Sequence, residues 1–443
     1  MDNLEEKSVY QYFLDLFYSK QVGQEDESMQ DFLVKFAKQN GLNFFLDQAS
    51  NIVIKDGGQD EKTTLLVCLD FCTKKPIKKW FDFSFLGGKL THSGDYVLSS
   101  RVPLCAESLG GVAIALHALK TQKNIQAIFV FDKKSINKIF DAKDFNSSKV
   151  IQLVADNQEG LSLFSPFACQ YVAKCSNEKY FLTNSFELKT FKLSIFENEK
   201  QDKNLALKLL VELLGQIKDA KVNKLHSGFV SGNEYKNEVY FTTFMPLLEI
   251  KNLIKSFYEQ KRELYPTFAL RCTRQINQTL VLSNNQILDF ISDFKENSTP
   301  LDDEQTCNAE LLDVNSNSGF VNFELSSRDL KCLKQQFEII KDNAKLKNID
   351  CVCFDEMSSF SPKKSILLED MAKANSSFNR AIFSYNKPSI LGEIVSKNKT
   401  LDALILSFQV ENLTLPDEKL IFSSLVNTSL YLENYLNSLS NKS

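Results

Sequence analysis

The sequence predicts an α/β domain that is split by a smaller, inserted α+β domain. Apolar strands alternate with helices in the first third of the chain, which is typical of a sheet covered by helices. The middle third carries strands of alternating pattern and amphipathic helices, as in an α+β unit. The tail returns to the first pattern. We therefore expect residues 1–187 and 355–443 to form the α/β domain and residues 188–354 to form an inserted lid.

Local patterns place the elements of the α/β domain. Apolar residues at helical spacing predict helices around residues 9–17 and 32–36, the second capped by Ser28 and ending near Gly41. Continuous apolar runs, typical of buried parallel strands, alternate with a helix that opens on small residues. The predicted strands are 51–55, 65–69, 127–131, 150–154 and 401–408, and the further helices are 107–119 and 420–436.

The predicted lid has a different pattern. Its strands alternate apolar and polar residues, which indicates one buried face and one exposed face. Its helices repeat apolar residues at three- and four-residue spacing. The expected strands are 191–195, 239–244 and 319–325, and the expected helices are 205–217, 247–258 and 330–340.

Composition and charge exclude several classes of protein. The 443 residues are 43% hydrophobic and 24% charged, as in a soluble globular protein. A net charge of −4 gives no electrostatic case for nucleic acid. No apolar run is long enough to span a membrane, and the acidic start is not followed by the apolar stretch of a signal peptide. Ten scattered cysteines are then most simply reduced thiols in the cytosol.

Polar side chains follow the buried strands where each strand ends. Asp70, Asp132 and Asp156 each follow or end an apolar run, and Glu107 opens a predicted helix. Loops at the carboxyl ends of parallel strands are where α/β sheets build sites, and a helix N-terminus favours a carboxylate. The sequence therefore predicts a polar site at this edge of the sheet.

Four stretches around these residues carry a resemblance. They are residues 67–71, 104–111, 131–134 and 415–418. Their order and context resemble the aminoacyl-histidine dipeptidase branch of the two-zinc aminoacylase and carboxypeptidase family. The resemblance implies a metallopeptidase-like domain split by a lid, hydrolysis of dipeptides at two zinc ions, and a homodimer formed through the lid.

Three positions of the family's site keep a suitable residue. The family's metal-ligating histidine is followed by an orienting aspartate, which corresponds to Asp70. The bridging aspartate corresponds to Glu107, a longer carboxylate. A further aspartate ligand after a strand corresponds to Asp156.

Four other positions have lost the family's residue. Cys68 stands at the first histidine ligand and Thr414 at the last one. The family's pair of glutamates, a general base and a ligand, corresponds to Lys133 and Lys134. A protonated lysine neither binds a dication nor accepts a proton, and without zinc no water is activated. The hypothesis is therefore a catalytically inactive pseudo-peptidase with a structural, interaction or regulatory role.

The alternative is a divergent metallo-dipeptidase with one metal or unusual ligands. No cofactor is expected under the main hypothesis, and zinc only under the alternative. The expected partner is a protein or a second copy of the chain, with a short peptide as candidate ligand and neither nucleic acid nor membrane.

Two details of the site stay open. Lys133 and Lys134 are either solvated turn residues or the source of an ammonium that replaces the metal among the carboxylates. Cys68, Cys72 and Cys105 are either ordinary buried packing residues or the source of a soft-metal or redox site, which would use Cys68 and Cys105 with Asp156. Cys351 and Cys353 lie on an apolar strand and are interpreted as core residues. Gly110 and Gly111 are interpreted as allowing close helix–sheet packing.

Overall fold

The computed structural model describes most of the chain. The residues outside it are 1–3, 23–28, 48–50, 58–61, 70–88, 101–103, 132–146, 176–178, 182–188, 198–204, 232–233, 265–267, 276–279, 283–285, 297–306, 316–318, 363, 377–379, 386, 388, 414–417 and 441–443. The predicted cap Ser28 lies outside the described residues.

Helices predicted from periodicity are present at the expected places, most of them with longer bounds; the helix expected at 205–217 ends at Gln216, and the one expected at 420–436 begins at Phe422. No helix in the described part of the chain has both the length and the apolar character needed to cross a membrane. The helices are α1 (Leu4–Val22), α2 (Met29–Gln39), α3 (Ala106–Thr121), α4 (Leu205–Gln216), α5 (Leu247–Leu264), α6 (Gln286–Glu296), α7 (Leu330–Leu346), α8 (Ile366–Ala374), α9 (Leu391–Lys397) and α10 (Phe422–Ser440).

Strands are more numerous than the sequence patterns indicate, because short polar strands give no clear period. They are β1 (Asn43–Leu46), β2 (Ile52–Lys55), β3 (Thr63–Cys68), β4 (Lys89–Ser93), β5 (Tyr96–Ser100), β6 (Ile125–Val130), β7 (Lys149–Asp156), β8 (Gly160–Ser162), β9 (Phe167–Lys174), β10 (Lys179–Phe181), β11 (Lys189–Glu197), β12 (Lys221–Ser231), β13 (Glu234–Thr243), β14 (Phe268–Gln275), β15 (Leu280–Leu282), β16 (Cys307–Asn315), β17 (Phe320–Ser327), β18 (Asp350–Met357), β19 (Ala381–Ile382), β20 (Asp402–Glu411) and β21 (Lys419–Ile421).

The chain divides into two compact units. The first unit comprises Met1–Pro166, Ser231–Asn233 and Ser358–Ser443, and the second comprises Phe167–Val230 and Glu234–Met357. The second unit thus begins before the expected residue 188. The reason is β9, which pairs with β17 and β18 of the second unit's sheet.

The first unit is built on one mixed sheet whose centre is parallel. Strands β6, β3, β7 and β20 are neighbours in that order, and the three pairings among them are parallel. These four strands correspond to the predicted runs 127–131, 65–69, 150–154 and 401–408, so the prediction that they share one sheet is confirmed. Their side chains are buried almost throughout, because helices cover both faces of such a sheet.

Helix α3 packs closely on this sheet. A Cβ atom placed on Gly110 would lie 2.6 Å from the ring of Phe408, and one on Gly111 would lie 3.0 Å from Val67. Only residues without a side chain let the helix backbone approach β20 and β3 so closely. The packing interpretation of this glycine pair is confirmed, and it holds the first turn of α3 over the carboxyl ends of the strands.

The second unit has its own core and its own antiparallel sheet. In the part of the chain that the structure describes, its sheet runs β14-β11-β13-β12-β16-β17-β9-β18. Strand β17 alternates buried and half-buried residues, as a strand with one covered face should. Helices α4, α6 and α7 contribute apolar side chains to the same core as this sheet. The fold class is therefore α/β with an inserted α+β unit.

Candidate functional site

Two neighbouring parallel strands of the first unit end at residues predicted for the site. Strand β3 ends at Cys68 and strand β7 ends at Asp156. The two strands pair in parallel, with Val67 opposite Leu153. Because parallel strands end at the same edge of a sheet, Cys68 and Asp156 face the same loop region.

The first turn of α3 brings a third predicted residue to this edge. Cys105 precedes the helix in a left-handed conformation, with φ 53° and ψ 42°, and Glu107 lies in the first turn. The amide of Ala106 donates a hydrogen bond to Oε2 of the buried Glu418 over 3.4 Å. A carboxylate at a helix N-terminus is stabilised by the helix dipole. This contact joins two of the stretches that carry the family resemblance.

The side chain of Tyr385 lies among the predicted site residues. It is 3% exposed. Burial raises the pKa of its phenol well above the ordinary value of 10. The negative charges of Glu107 and Asp156 raise that pKa further, and Cys68 acts in the same direction. The phenol therefore keeps its proton at neutral pH and presents an O–H group to a region that carries carboxylates.

Hydrogen bonds hold the Tyr385 segment in place at both ends. The amide of Phe383 donates to the carbonyl of Leu161 over 3.0 Å, next to the parallel pair of β19 and β8. The amide of Tyr385 donates to Ser162 Oγ over 3.1 Å. Further along, the buried hydroxyl of Ser389 donates to Gln152 Oε1 over 2.6 Å. The phenol is therefore positioned by the sheet rather than by a loop of its own.

An ammonium group lies beside one of the carboxylates. The Nζ atom of Lys387 is 3.7 Å from Oδ1 of Asp156, with 43% of the lysine side chain and 14% of the aspartate side chain exposed. The same Oδ1 atom accepts a hydrogen bond from the amide of Asn157 over 2.8 Å. The Asp156 carboxylate is thus engaged by a cation and a backbone donor from the protein itself.

The structure places part of the predicted site. Cys68, Glu107 and Asp156 all lie near Tyr385. The prediction that Lys133 or Lys134 supplies a replacing ammonium remains a prediction. The site residues that lie outside the described part of the chain are Asp70, Asp132, Lys133, Lys134 and Thr414.

The described residues do not fit a zinc ion at this place. Zinc ligands must give up their protons and converge within a few ångströms. Among the described residues, neither Cys68 with Glu107 and Asp156 nor Cys68 with Cys105 and Asp156 forms a group whose ligand atoms all lie within 4.8 Å of one another. A metal at Asp156 would also displace the ammonium of Lys387.

Sequence reasoning missed Tyr385 and Lys387. They follow the two-residue strand β19, which has no recognisable period, and they come from a part of the chain far from the other site residues. No periodic pattern marks them, because helix α9 (Leu391–Lys397) separates them from β20, the next strand along the chain. The side-chain directions of such a connecting segment are not readable from the sequence.

Comparisons with known proteins find the same fold. No protein-family model matches the sequence, and no curated protein matches it. An aminoacylhistidine dipeptidase from Vibrio alginolyticus is 12% identical with a TM-score of 0.56, covering 97% of this chain and 96% of its own. A Staphylococcus aureus tripeptidase is 12% identical with a TM-score of 0.52, covering 98% and 99%. Human carnosine dipeptidase 1 is 10% identical with a TM-score of 0.51, covering 97% and 98%.

These similarities extend over both units of the chain and over nearly the full length of each solved structure. At such low sequence identity they show a shared fold only. Whether the chemistry is shared has to be judged from the residues of the site. The chain therefore has the fold of these dipeptidases and of the tripeptidase.

Proposed function

We propose that this chain is a catalytically inactive protein of dipeptidase fold, a pseudo-peptidase with a structural, interaction or regulatory role. The observation that carries the proposal is Tyr385, whose buried phenol lies among the residues that the family resemblance assigns to the metal. Lys387 adds a positive charge at Asp156. A phenol and an ammonium replace the metal as the partners of the carboxylates.

The proposed replacement accounts for the retained carboxylates. A buried carboxylate without a counter-charge is costly, so Glu107 and Asp156 would destabilise a metal-free site unless donors compensate them. An uncharged phenol O–H and a partly exposed ammonium are donors of the kind that such carboxylates need. The carboxylates then stabilise the fold rather than hold a metal.

The proposed loss of chemistry follows from the same arrangement. Hydrolysis in this fold needs a metal that acidifies water and a base that accepts its proton. The resemblance assigns the base to Lys133, and Tyr385 is protonated at neutral pH. We propose binding of a protein partner, a second copy of the chain or a short peptide as the remaining function. We also place the protein in the cytosol, since ten cysteines in a long chain are most simply reduced thiols.

The test is metal-dependent hydrolysis by the purified full-length protein. Dipeptides ending in histidine are offered with added zinc, manganese or cobalt, and bound metal is measured after desalting. The measurement is repeated with Cys169→Ser/Cys353→Ser, which removes two metal-capable thiols of the other unit. We expect no hydrolysis above the buffer rate in either protein and no bound metal in the double variant.

The contrary result is equally specific. Hydrolysis that requires metal, persists in the double variant and is lost in Glu107→Gln and Asp156→Asn would establish the divergent metallo-dipeptidase instead. Lys120→Gln, which changes an exposed residue of the last turn of α3, is the matched control for a charge change on the same helix.

A further inference from the structure

The second unit holds a cluster of sulfur and oxygen donors that the proposed function does not use. The Sγ atoms of Cys169 and Cys353 and a carboxylate oxygen of Glu356 all lie within 4.8 Å of one another. Among the described residues, no other set of three histidine, cysteine, aspartate or glutamate side chains has its ligand atoms this close together. It combines two soft donors with one carboxylate, a set that suits zinc and related ions.

A β-bulge assembles this cluster. Cys169 lies opposite Glu356, and Tyr171 lies opposite Cys353, with a register shift between Cys353 and Asp355. Residues three apart on a regular strand point to opposite faces of a sheet. The additional residue at the bulge lets Cys353 and Glu356 share the face of Cys169.

The cluster has a buried base and an open side. Cys169 is 6% exposed and belongs to the core of the second unit, whereas Cys353 is half-buried and Glu356 is exposed. The ring of Tyr171, which lies opposite Cys353 on the same face of the sheet, stacks on Phe337 of α7 with centroids 4.0 Å apart. Aromatic packing therefore lies beside the donors, and Glu356 is their exposed member.

The two thiols are free and lie close enough to share one metal ion. Their Sγ atoms are within 4.8 Å of each other. Two thiolates on one tetrahedral zinc ion lie about 3.8 Å apart, given Zn–S bonds of about 2.3 Å.

The hydrogen bonding already present orients the donors. The Cys353 thiol donates towards Glu356 Oε1 and the carbonyl of Asp355, both over 3.7 Å. A divalent cation would take the position of that thiol proton between sulfur and carboxylate. The charge of Lys334 on α7 acts on Cys169. Lys334 is exposed, so its ammonium can turn into solvent when a metal binds.

We propose that Cys169, Cys353 and Glu356 bind a divalent ion of the zinc class. Binding forms two metal–sulfur bonds and one metal–oxygen bond, releases both thiol protons to solvent, and leaves a position for water. The ion would fasten the edge strand β18 to β9. This site is independent of the proposed function, because all of its ligands belong to the second unit.

The test is cobalt titration of the reduced, full-length protein, followed by the sulfur-to-cobalt charge-transfer absorption. We expect one cobalt per chain and displacement of cobalt by zinc. Cys169→Ser and Cys353→Ser should abolish the band. Glu356→Gln should weaken binding without a folding defect, because Glu356 is exposed. Cys351→Ser is the matched control, since Cys351 lies on the same strand opposite Ala173 and outside the group.

Two outcomes would overturn the site. One is a wild-type protein that shows no thiolate–cobalt band when reduced and folded. The other is a band that survives in Cys353→Ser and disappears in Asp156→Asn, which would move the metal to the first unit. Circular dichroism of every variant separates a lost ligand from a lost fold.

Discussion

Each unit brings acidic and other polar side chains together at its sheet. The two units differ in the groups that lie next to those acidic side chains. In the first unit, the buried phenol of Tyr385 lies near Glu107 and Asp156, and the ammonium of Lys387 lies 3.7 Å from Asp156. In the second unit, Cys169, Cys353 and Glu356 form a group whose open side faces solvent. The first cluster contains its own compensating groups, whereas the second is arranged to receive a cation.

Under the proposed function, this difference means that a fold and its metal chemistry are separable. The first unit keeps the sheet, the close packing of α3 and two acidic side chains at the edge where the resemblance implies zinc. In that proposal, Tyr385 and Lys387 compensate those carboxylates without an ion. Metal affinity, in turn, depends on a few donors at short range, and a single bulge can assemble them at a different sheet.

The largest expected effect comes from removing the phenol. Tyr385→Ala should lower the free energy of unfolding by about 3–5 kcal/mol, as other buried aromatic truncations do. The substitution leaves a cavity beside two carboxylates, which adds to the loss. Denaturant unfolding measures it, and Tyr385→Phe should cost only about 0.5–2 kcal/mol because it removes one hydroxyl. A loss below about 1 kcal/mol for the alanine variant would mean that the phenol does not fill the site.

A bound ion should stabilise the protein through the second cluster. Free zinc at about a hundred times its dissociation constant should add about 2.7 kcal/mol to unfolding, and a chelator should reverse the gain. Cys353→Ser should abolish this effect, and Tyr385→Phe should retain it in full. Thermal unfolding with and without zinc measures both. If zinc stabilised Cys353→Ser as much as it stabilises the wild-type protein, the cluster of the second unit would not be the zinc site, and the contrast between the two clusters would be wrong.

A smaller effect is expected at the ammonium. Lys387→Met should change the free energy of unfolding by about 0–1 kcal/mol, because a partly exposed ion pair is weakened by solvent. High salt should reduce even that difference. A loss of several kcal/mol, measured by denaturant unfolding beside the Lys373→Met control on α8, would show that the ammonium acts as a buried counter-ion.

The smallest effect concerns alkaline pH. The folded-state pKa of Tyr385 is raised, so its contribution to stability is complete below the ordinary pKa of 10 and declines as pH rises above it. Wild-type protein should therefore lose more stability above about pH 10 than Tyr385→Phe does. Unfolding curves of the two proteins over that range provide the comparison. Equal slopes would show that the phenol ionises as freely in the folded protein as in the unfolded chain.

The sequence predicts the first unit's sheet well because burial on both faces leaves a continuous apolar signature. Continuous apolar runs such as Leu65–Leu69 and Leu404–Phe408 predict central strands of a parallel sheet. The start of the inserted unit was harder to locate. The alternating strand Phe167–Lys174 shows which of its faces is buried, but a strand's own pattern does not name the strand it pairs with.

The site residues also divide into those that the sequence predicts and those that it does not. Glu107 and Asp156 were predictable, since each lies at the end of a recognisable strand or at the start of a recognisable helix. Tyr385 and Lys387 were not, because no periodic element determines their direction. Cys353, interpreted from the sequence as a core residue, is only half-buried and packs against the second core from outside it. Its closeness to Cys169 and Glu356 depends on a bulge that leaves no trace in the sequence pattern.

The bulge in β18 also affects how readily this chain associates with other chains. Strand β18 is the last strand of its sheet in the described part of the chain, so one side of its backbone lacks a strand neighbour. Regular edge strands of this kind recruit strands from other chains and promote aggregation. The register shift between Cys353 and Asp355 breaks the repeat that an incoming strand would need. Deleting Phe354 would straighten the edge, and the resulting protein should aggregate more readily even if its core stays intact.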